Sequence, residues 1–254
     1  MSVALASAWH PRGEMTRLQA LCPRLEEVYQ KLIIAVPPDI TASDRDQVET
    51  LARRSQICVV FTTRITECRY AALKQATEMP VTHIHYADMD RLLRWVETKP
   101  LEWQQTVERI QQVDCLLIGR TEAAFQTHPQ ALQQTEKIIN TVFSNVLGQT
   151  VDFGSGTRGF SRQATQLVVA NTLPDRWTDV EWLLVLRRAG FAVDYLMVDG
   201  MDWESADRYR PQAADPDTQR RLAQVYDEDP ANWAIRVQIA GDIIQSGLDV
   251  QGGI

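Results

Sequence analysis

The chain lacks an apolar run long enough to cross a bilayer. Its longest runs, such as Gln56–Phe61, are strand-sized, whereas a membrane helix takes about 18–20 apolar residues. Cysteine is scarce, and the four present (Cys22, Cys58, Cys68, Cys115) form no CxxC pair and no zinc-type spacing. That argues against a disulfide framework or a structural zinc site. Cys58 and Cys115 fall inside apolar runs, as buried thiols do in a reducing compartment. Positive charge is in deficit, with 26 Lys and Arg against 33 Asp and Glu, a net charge of −7 and a pI near 5.2. Such a surface repels nucleic acid and acidic membranes. No Walker A loop occurs. The opening segment MSVALASAWHPRGE carries no basic n-region, so no signal peptide is expected and a cytoplasmic location is. There is no internal repeat and no low-complexity block.

What is present is an ordinary globular composition, 254 residues with 44% hydrophobic and 23% charged. It suits one large α/β domain or two small ones. Short apolar runs alternate with longer amphipathic ones. Strands are expected at Val3–Ala8, Leu32–Val36, Ile57–Phe61, Val81–Tyr86, Cys115–Ile118 and Ala192–Val198. Helices are expected at Glu14–Lys31, Ser43–Arg54, Glu67–Thr77, Leu92–Glu97, Leu101–Gln112, Pro129–Leu147, Arg162–Ala170 and Asp179–Ala189. Strands separated by helices of this length imply a mostly parallel sheet covered on both faces. From Asp202 the composition shifts to Asp, Gln and Arg. One helix is expected there at Asn232–Gln245, with a loop around Gln212–Thr218 and a frayed tail at Asp249–Ile254. Residues 1–201 thus read as the main domain and 202–254 as an extension packed on it.

Three constellations carry chemical potential. Asp88-Met89-Asp90 ends the fourth strand, where open parallel sheets bind ligands, and two carboxylates there suit Mg²⁺ or Mn²⁺. The bland alternative is an N-cap pair for the following helix. Gly154-Ser155-Gly156-Thr157-Arg158 offers close backbone approach and a guanidinium fork for an anion; the alternative is a plain turn. Asp179 and Glu181 open a helix, where the dipole favours acids whatever their use, yet either suits a general base. His83 and His85 alternate along the fourth strand and read as packed or hydrogen-bonded. The tryptophans read mainly as core anchors, with Trp177 and Trp203, near acidic loops, as alternative stacking platforms.

The order of these motifs resembles the GT-A-fold glycosyltransferases of family 2, especially the polyprenol-phosphate mannosyl- and glucosyltransferase branch. The likeness runs from about Val3 to Val198. Cys68-Arg69-Tyr70-Ala71-Ala72-Leu73-Lys74-Gln75-Ala76 is similar to the family's Ala-Arg-Asn helix, and Asp88 and Asp90 to its Asp-x-Asp pair. Asp114 through Arg120, Asn140 through Gly148 and Asp152 through Arg162 resemble its later motifs, as do Asp179-Val180-Glu181-Trp182 and Arg188-Ala189-Gly190-Phe191. The resemblance implies a GT-A fold and transfer of a sugar from a nucleotide-diphospho-sugar to a hydroxyl acceptor, small or lipid-linked. It implies Mg²⁺ or Mn²⁺ at Asp88 and Asp90, with Asp88 on the nucleotide side. It implies donor or phosphate contacts from Glu14, Arg69, Asp88, Arg120, Ser155, Gly156 and Arg158, and a catalytic base at Asp179 or Glu181.

The sequence departs from the family at two places. The first strand ends in Ala8-Trp9-His10-Pro11-Arg12-Gly13-Glu14, where only the glutamate of Pro-x-x-Asn-Glu is kept. The second ends in Val36-Pro37-Pro38-Asp39-Ile40-Thr41 instead of Val-Asp-Asp-Gly-Ser. A non-catalytic binding protein with an altered donor pocket is therefore the competing reading. The segment Asp202–Ile254 either caps the acceptor site or makes a homodimer contact.

Overall fold

In the computed structural model, residues 2–204 and 213–252 are described. Seven strands form one sheet: β1 (Val3–Ala8), β2 (Lys31–Val36), β3 (Ile57–Phe61), β4 (His83–Ala87), β5 (Cys115–Arg120), β6 (Thr157–Ser161) and β7 (Asp194–Val198). Their order is β3-β2-β1-β4-β6-β5-β7. All pairings are parallel except those of β6, which runs antiparallel to both β4 and β5. The order reverses direction between β1 and β4, the kind of switch point where α/β sheets leave a crevice at their carboxyl ends.

The helices α1 (Met15–Val28), α2 (Ala42–Arg54), α3 (Cys68–Thr77), α4 (Met89–Thr98), α5 (Pro100–Ile110) and α6 (Glu122–Phe125) alternate with the first strands. The long α7 (Gln130–Leu147), then α8 (Arg162–Asn171), α9 (Thr178–Arg188), α10 (Pro216–Asp227) and α11 (Pro230–Gly252) complete the chain. Local chemistry sets several ends. Thr41 caps α2, accepting from the Asp44 N–H and donating to its carboxylate. Gly148 closes α7 in the left-handed conformation at φ 69°.

Apolar side chains from the two faces of the sheet build two cores. One holds Ala4, Ala6, Ile33, Ile84, Tyr86 and Leu117 with α3, α7, α8 and α9. The other holds Leu5, Leu32, Ile34, Leu116 and Ile118 with α1, α4 and α5. β1, β2 and β4 are buried throughout or nearly so, as expected of strands covered on both faces. Among the described residues no helix is long and apolar enough to cross a membrane.

Three sequence expectations are corrected. The Gly-rich segment is not a plain turn, because its second half is β6. Gly159 is required there, since a Cβ would collide with Ile110 of α5. The expected loop around Gln212–Thr218 gives way to α10 from Pro216. Asp215 caps that helix by accepting from the N–H groups of Asp217 and Thr218, and Pro216 occupies its first turn; Gln212 itself lies outside the described residues. The expected frayed tail is helical through Gly252, with residues 253–254 outside the described set. α11 packs on α7 and α9, and its Ala240 and Ile243 belong to the first core.

Candidate active site

A cleft of about 310 Å³ opens at the carboxyl end of the sheet, over the β1/β4 switch point. Its floor follows the strand order. Ile65, Thr66 and Cys68 come from beyond β3, Pro37 from beyond β2, Ala8 from the end of β1, Trp9 and His10 from beyond it, and Asp88 and Asp90 from beyond β4. Arg69 and the segment Asp175–Thr178 form the other wall. The apolar end lies over β3 and β2; the charged end lies at β4.

Asp88 stands at the N-cap position of α4 but makes no side-chain capping bond, so the capping alternative does not describe it. One carboxylate oxygen accepts from the Tyr86 hydroxyl at 2.6 Å. The other accepts from Arg69 at 2.7 Å. Burial raises the Asp88 pKa, and Arg69 offsets only part of that rise. The Asp88 N–H donates to the Gly156 carbonyl. Gly156 has φ +73°, and a Cβ there would lie 2.6 Å from Asp88 Oδ2. Asp90, half-buried in the first turn of α4, accepts from the Arg91 N–H at 2.9 Å and keeps its carboxylate on the cleft.

Arg69 is the centre of the charged end. Its guanidinium reaches Asp88 at 2.7 Å and Asp179 at 2.9 Å, so one cation bridges two carboxylates from opposite walls. Burial works to raise the Asp179 pKa, but Arg69 and Arg158 outweigh it and hold the group below its ordinary value.

Four expected contact residues lie beneath this surface. Arg158 is fully buried and donates to the carbonyls of Phe153 and Asp179. Arg120 is buried between Glu136 at 2.6 Å and Asp152 at 2.7 Å. The buried Ser155 hydroxyl donates to the Ile118 carbonyl. Glu14 is 4% exposed and accepts from the Arg12 N–H at 2.7 Å, with burial raising its pKa. None of the four lines the cleft, so direct phosphate contact is replaced by support of the walls. β5, β6 and the residues just before β6 and α1 turn these side chains inward, where each has a protein partner, although Nη1 of Arg120 and Nε and Nη1 of Arg158 have none.

Glu181 is likewise corrected as a cleft residue. It is 4% exposed, its Oε2 has no hydrogen-bond partner, and desolvation pushes its pKa up to about 7. The charges that act on it are Arg176, Asp249 and Asp175, and Arg176 pairs with Asp249 of α11. Of the two acids of α9, only Asp179 reaches the site. Trp177 lines the cleft, whereas Trp203 packs against Tyr226 in a small core with Leu132 and Ala223. His85 is buried, with Tyr29 and Thr157 as partners at 2.6 and 2.8 Å.

A second, smaller cleft of about 80 Å³ adjoins the first across Arg69, Asp88 and Trp177. Its other wall is built from α7 and α11: Glu136, Ile139 and Asn140 face Arg236, Ile239 and Ile243. Arg91 also enters it. The hydrogen-bond partner of its guanidinium is His128 Nε2 at 2.9 Å, and burial holds His128 neutral, with Arg120 and Arg91 adding to the effect. Arg91 forms no ion pair with a carboxylate among the described residues. Arg91 and Arg236 were not singled out from sequence. Arg91 directly follows the acidic pair, but nothing in the pattern of α11 marks Arg236.

No family model matches the chain, and no curated protein matches its sequence. Solved structures do. Glucosyl-3-phosphoglycerate synthase from Mycobacterium tuberculosis superposes with TM-score 0.59 at 12% identity, covering 99% of this chain and 81% of that one. The same enzyme with Mn²⁺, UDP and phosphoglyceric acid gives 0.56 at 11% identity, covering 100% and 79%. Its complex with Mn²⁺, UDP and glucosyl-3-phosphoglycerate gives 0.57 at 11%, covering 99% and 80%. The fold is that of the GT-A nucleotide-sugar transferases. At this identity the likeness establishes the fold, with a mixed sheet of seven strands covered by helices.

Proposed function

We propose that the chain is a glycosyltransferase that takes a sugar from a nucleotide-diphospho-sugar and delivers it to a hydroxyl acceptor. The observation that carries this reading is the Arg69 bridge. It joins Asp88, on the floor of the larger cleft, to Asp179, on the wall of the smaller one. A donor in the first cleft and an acceptor in the second would meet there.

A divalent ion fits at Asp90 rather than at Asp88. Both Asp88 oxygens already accept from protein donors, whereas Asp90 presents a hard carboxylate to the cleft. Among the described residues no group of three His, Cys, Asp or Glu side chains is placed to hold an ion. Asp90 would therefore share it with donor oxygens and water. When bound, the ion stabilises charge on the departing diphosphate.

The protein's own groups do the rest. Arg69 faces the same charge and can transfer a hydrogen bond from Asp88 to a phosphate oxygen. Asp179 is ionised at neutral pH and stands where an acceptor hydroxyl would need orienting and relieving of its proton. Arg91, with Arg236 beside it in its ion pair with Glu136 at 2.8 Å, favours an acceptor that carries phosphate or carboxylate. Phosphoglyceric acid, bound by the similar structure, is of that class. The wall contributed by α11 suits a small acceptor better than a polyprenol chain.

The test is a transfer assay with UDP-glucose and other sugar nucleotides, Mn²⁺, and a panel of phosphorylated hydroxy acids. Product with the wild type, and at least a hundredfold less with Asp179→Asn, is expected. Tight donor binding without transfer to any acceptor would favour the non-catalytic reading.

A further inference from the structure

α11 is apolar on more than one side. Its inward side carries Ala240 and Ile243 in the first core, Gly247 against the Phe143 ring, and Arg236 paired with Glu136. On the outward side Ala234, Val237, Gly241, Ile244 and Leu248 follow one another at spacings of three, four, three and four residues. That alternation is the repeat of a seam between two helices, which keeps one stripe facing a partner. Val237 is 61% and Leu248 46% exposed, Ala234 and Gly241 are exposed, and Ile244 is half-buried. A Cβ at Gly241 would meet no atom of another element within 4 Å. The stripe is left largely open to solvent, where a surface helix ordinarily turns a polar face.

The stripe is complementary to itself. A two-fold axis crossing it between Gly241 and Ile244 runs two copies of α11 antiparallel. It sets Gly241 of each copy against Ile244 of the other and Val237 against Leu248, so the larger side chain meets the space over the glycine. The charges follow the same symmetry. Glu228 and Asp229, both exposed, precede the start of α11. Arg187 and Arg188, exposed in the last turn of α9, share a groove with Gln251 at its other end, and Arg188 donates to the Val250 carbonyl. Antiparallel pairing brings the acidic end of one copy to the basic end of the other, whereas parallel pairing sets like charges together. A lipid surface fits less well. Interfacial helices are rich in Lys and Arg on their polar face, but here that face carries Gln238, Asp242, Gln245 and Asp249. We propose that the outward face of α11 is an interaction surface for a second copy of this chain, joined about a two-fold axis. The seam from Ala234 to Leu248 is about 21 Å long. Helices meeting over that length cover less than the roughly 1,200 Å² of a stable complex, so the dimer exchanges with monomer.

Sedimentation velocity of the wild type from about 5 to 500 µM tests this. The sedimentation coefficient should rise with concentration from monomer towards dimer. Gly241→Glu has room in the monomer, so its melting midpoint should not fall, but it puts a carboxylate on the seam and should weaken association at least tenfold. Arg187→Glu should weaken association too. Mixing it with Glu228→Arg, which sets opposite charges at both ends of the mixed pair, should restore association. A chain monomeric throughout, a dimer unchanged by either Gly241→Glu or Arg187→Glu, or a mixture that fails to associate overturns the proposal. A monomer that binds phosphatidylcholine vesicles as wild type and not as Gly241→Glu overturns it in favour of a lipid surface.

Discussion

Arg69→Met removes the cation that, among the described residues, bridges the two walls of the site. The substitution leaves Asp88 and Asp179 facing each other with side-chain exposures of 19% and 11%. Removing one partner of a buried ion pair costs about 3–5 kcal/mol. The residual exposure and the neighbouring Arg158 argue for the lower end, about 3 kcal/mol. For a chain of this size that lowers the melting midpoint by about 6–12 °C. The pH dependence is the more discriminating readout. In the wild type the Asp179 pKa lies below its ordinary 3.8, so it contributes stability above that value, lost as pH falls through the folded pKa. Without Arg69, burial and the neighbouring carboxylate raise both groups in the folded state. Their contribution is then present at acid pH and lost as pH rises. The deficit of the variant should therefore be greatest at neutral pH and shrink towards the ordinary carboxylate range. Urea denaturation of both proteins across that range measures it. A variant as stable as the wild type, or a deficit independent of pH, would refute the bridge as a structural and electrostatic element.

Two further substitutions probe neighbouring features. Glu181→Gln should leave stability unchanged at acid pH and raise it at alkaline pH. The wild-type group, raised from 4.5 to about 7, loses its contribution as pH rises through that interval, worth at most about 3 kcal/mol; equal stability above neutral pH would contradict its burial. Gly156→Ala forces a positive φ and presses a Cβ on Asp88 Oδ2. It should cost about 1–3 kcal/mol, read by thermal denaturation, and an unchanged midpoint would show that the turn tolerates a side chain.

Much of the fold was legible because its strands obey simple rules. β1 and β3 match the apolar runs read from sequence, residue for residue. β6 was hidden because its glycines and polar residues are set by tertiary demands, the close approach of α5 to Gly159 and the hydrogen bond of Gly156 to Asp88. α10 carried a readable signal in Asp215-Pro216 that an otherwise polar stretch obscured. In the site, residue types marked Asp88, Asp90 and Asp179 as candidates, and the family resemblance added Arg69. They did not reveal that Arg120 and Arg158 point inward, because a guanidinium that binds an anion and one that braces a wall look alike in sequence.

The account rests on a nucleoside diphosphate binding over the β1/β4 switch point through an ion held by Asp90. Calorimetric titration of UDP into the wild type and Asp90→Asn, with Mn²⁺ and with EDTA, addresses that directly. The account predicts binding by the wild type that weakens at least tenfold on chelation, and an Asp90→Asn variant that no longer responds to Mn²⁺. Wild-type binding indifferent to EDTA, or no binding at all, would contradict it.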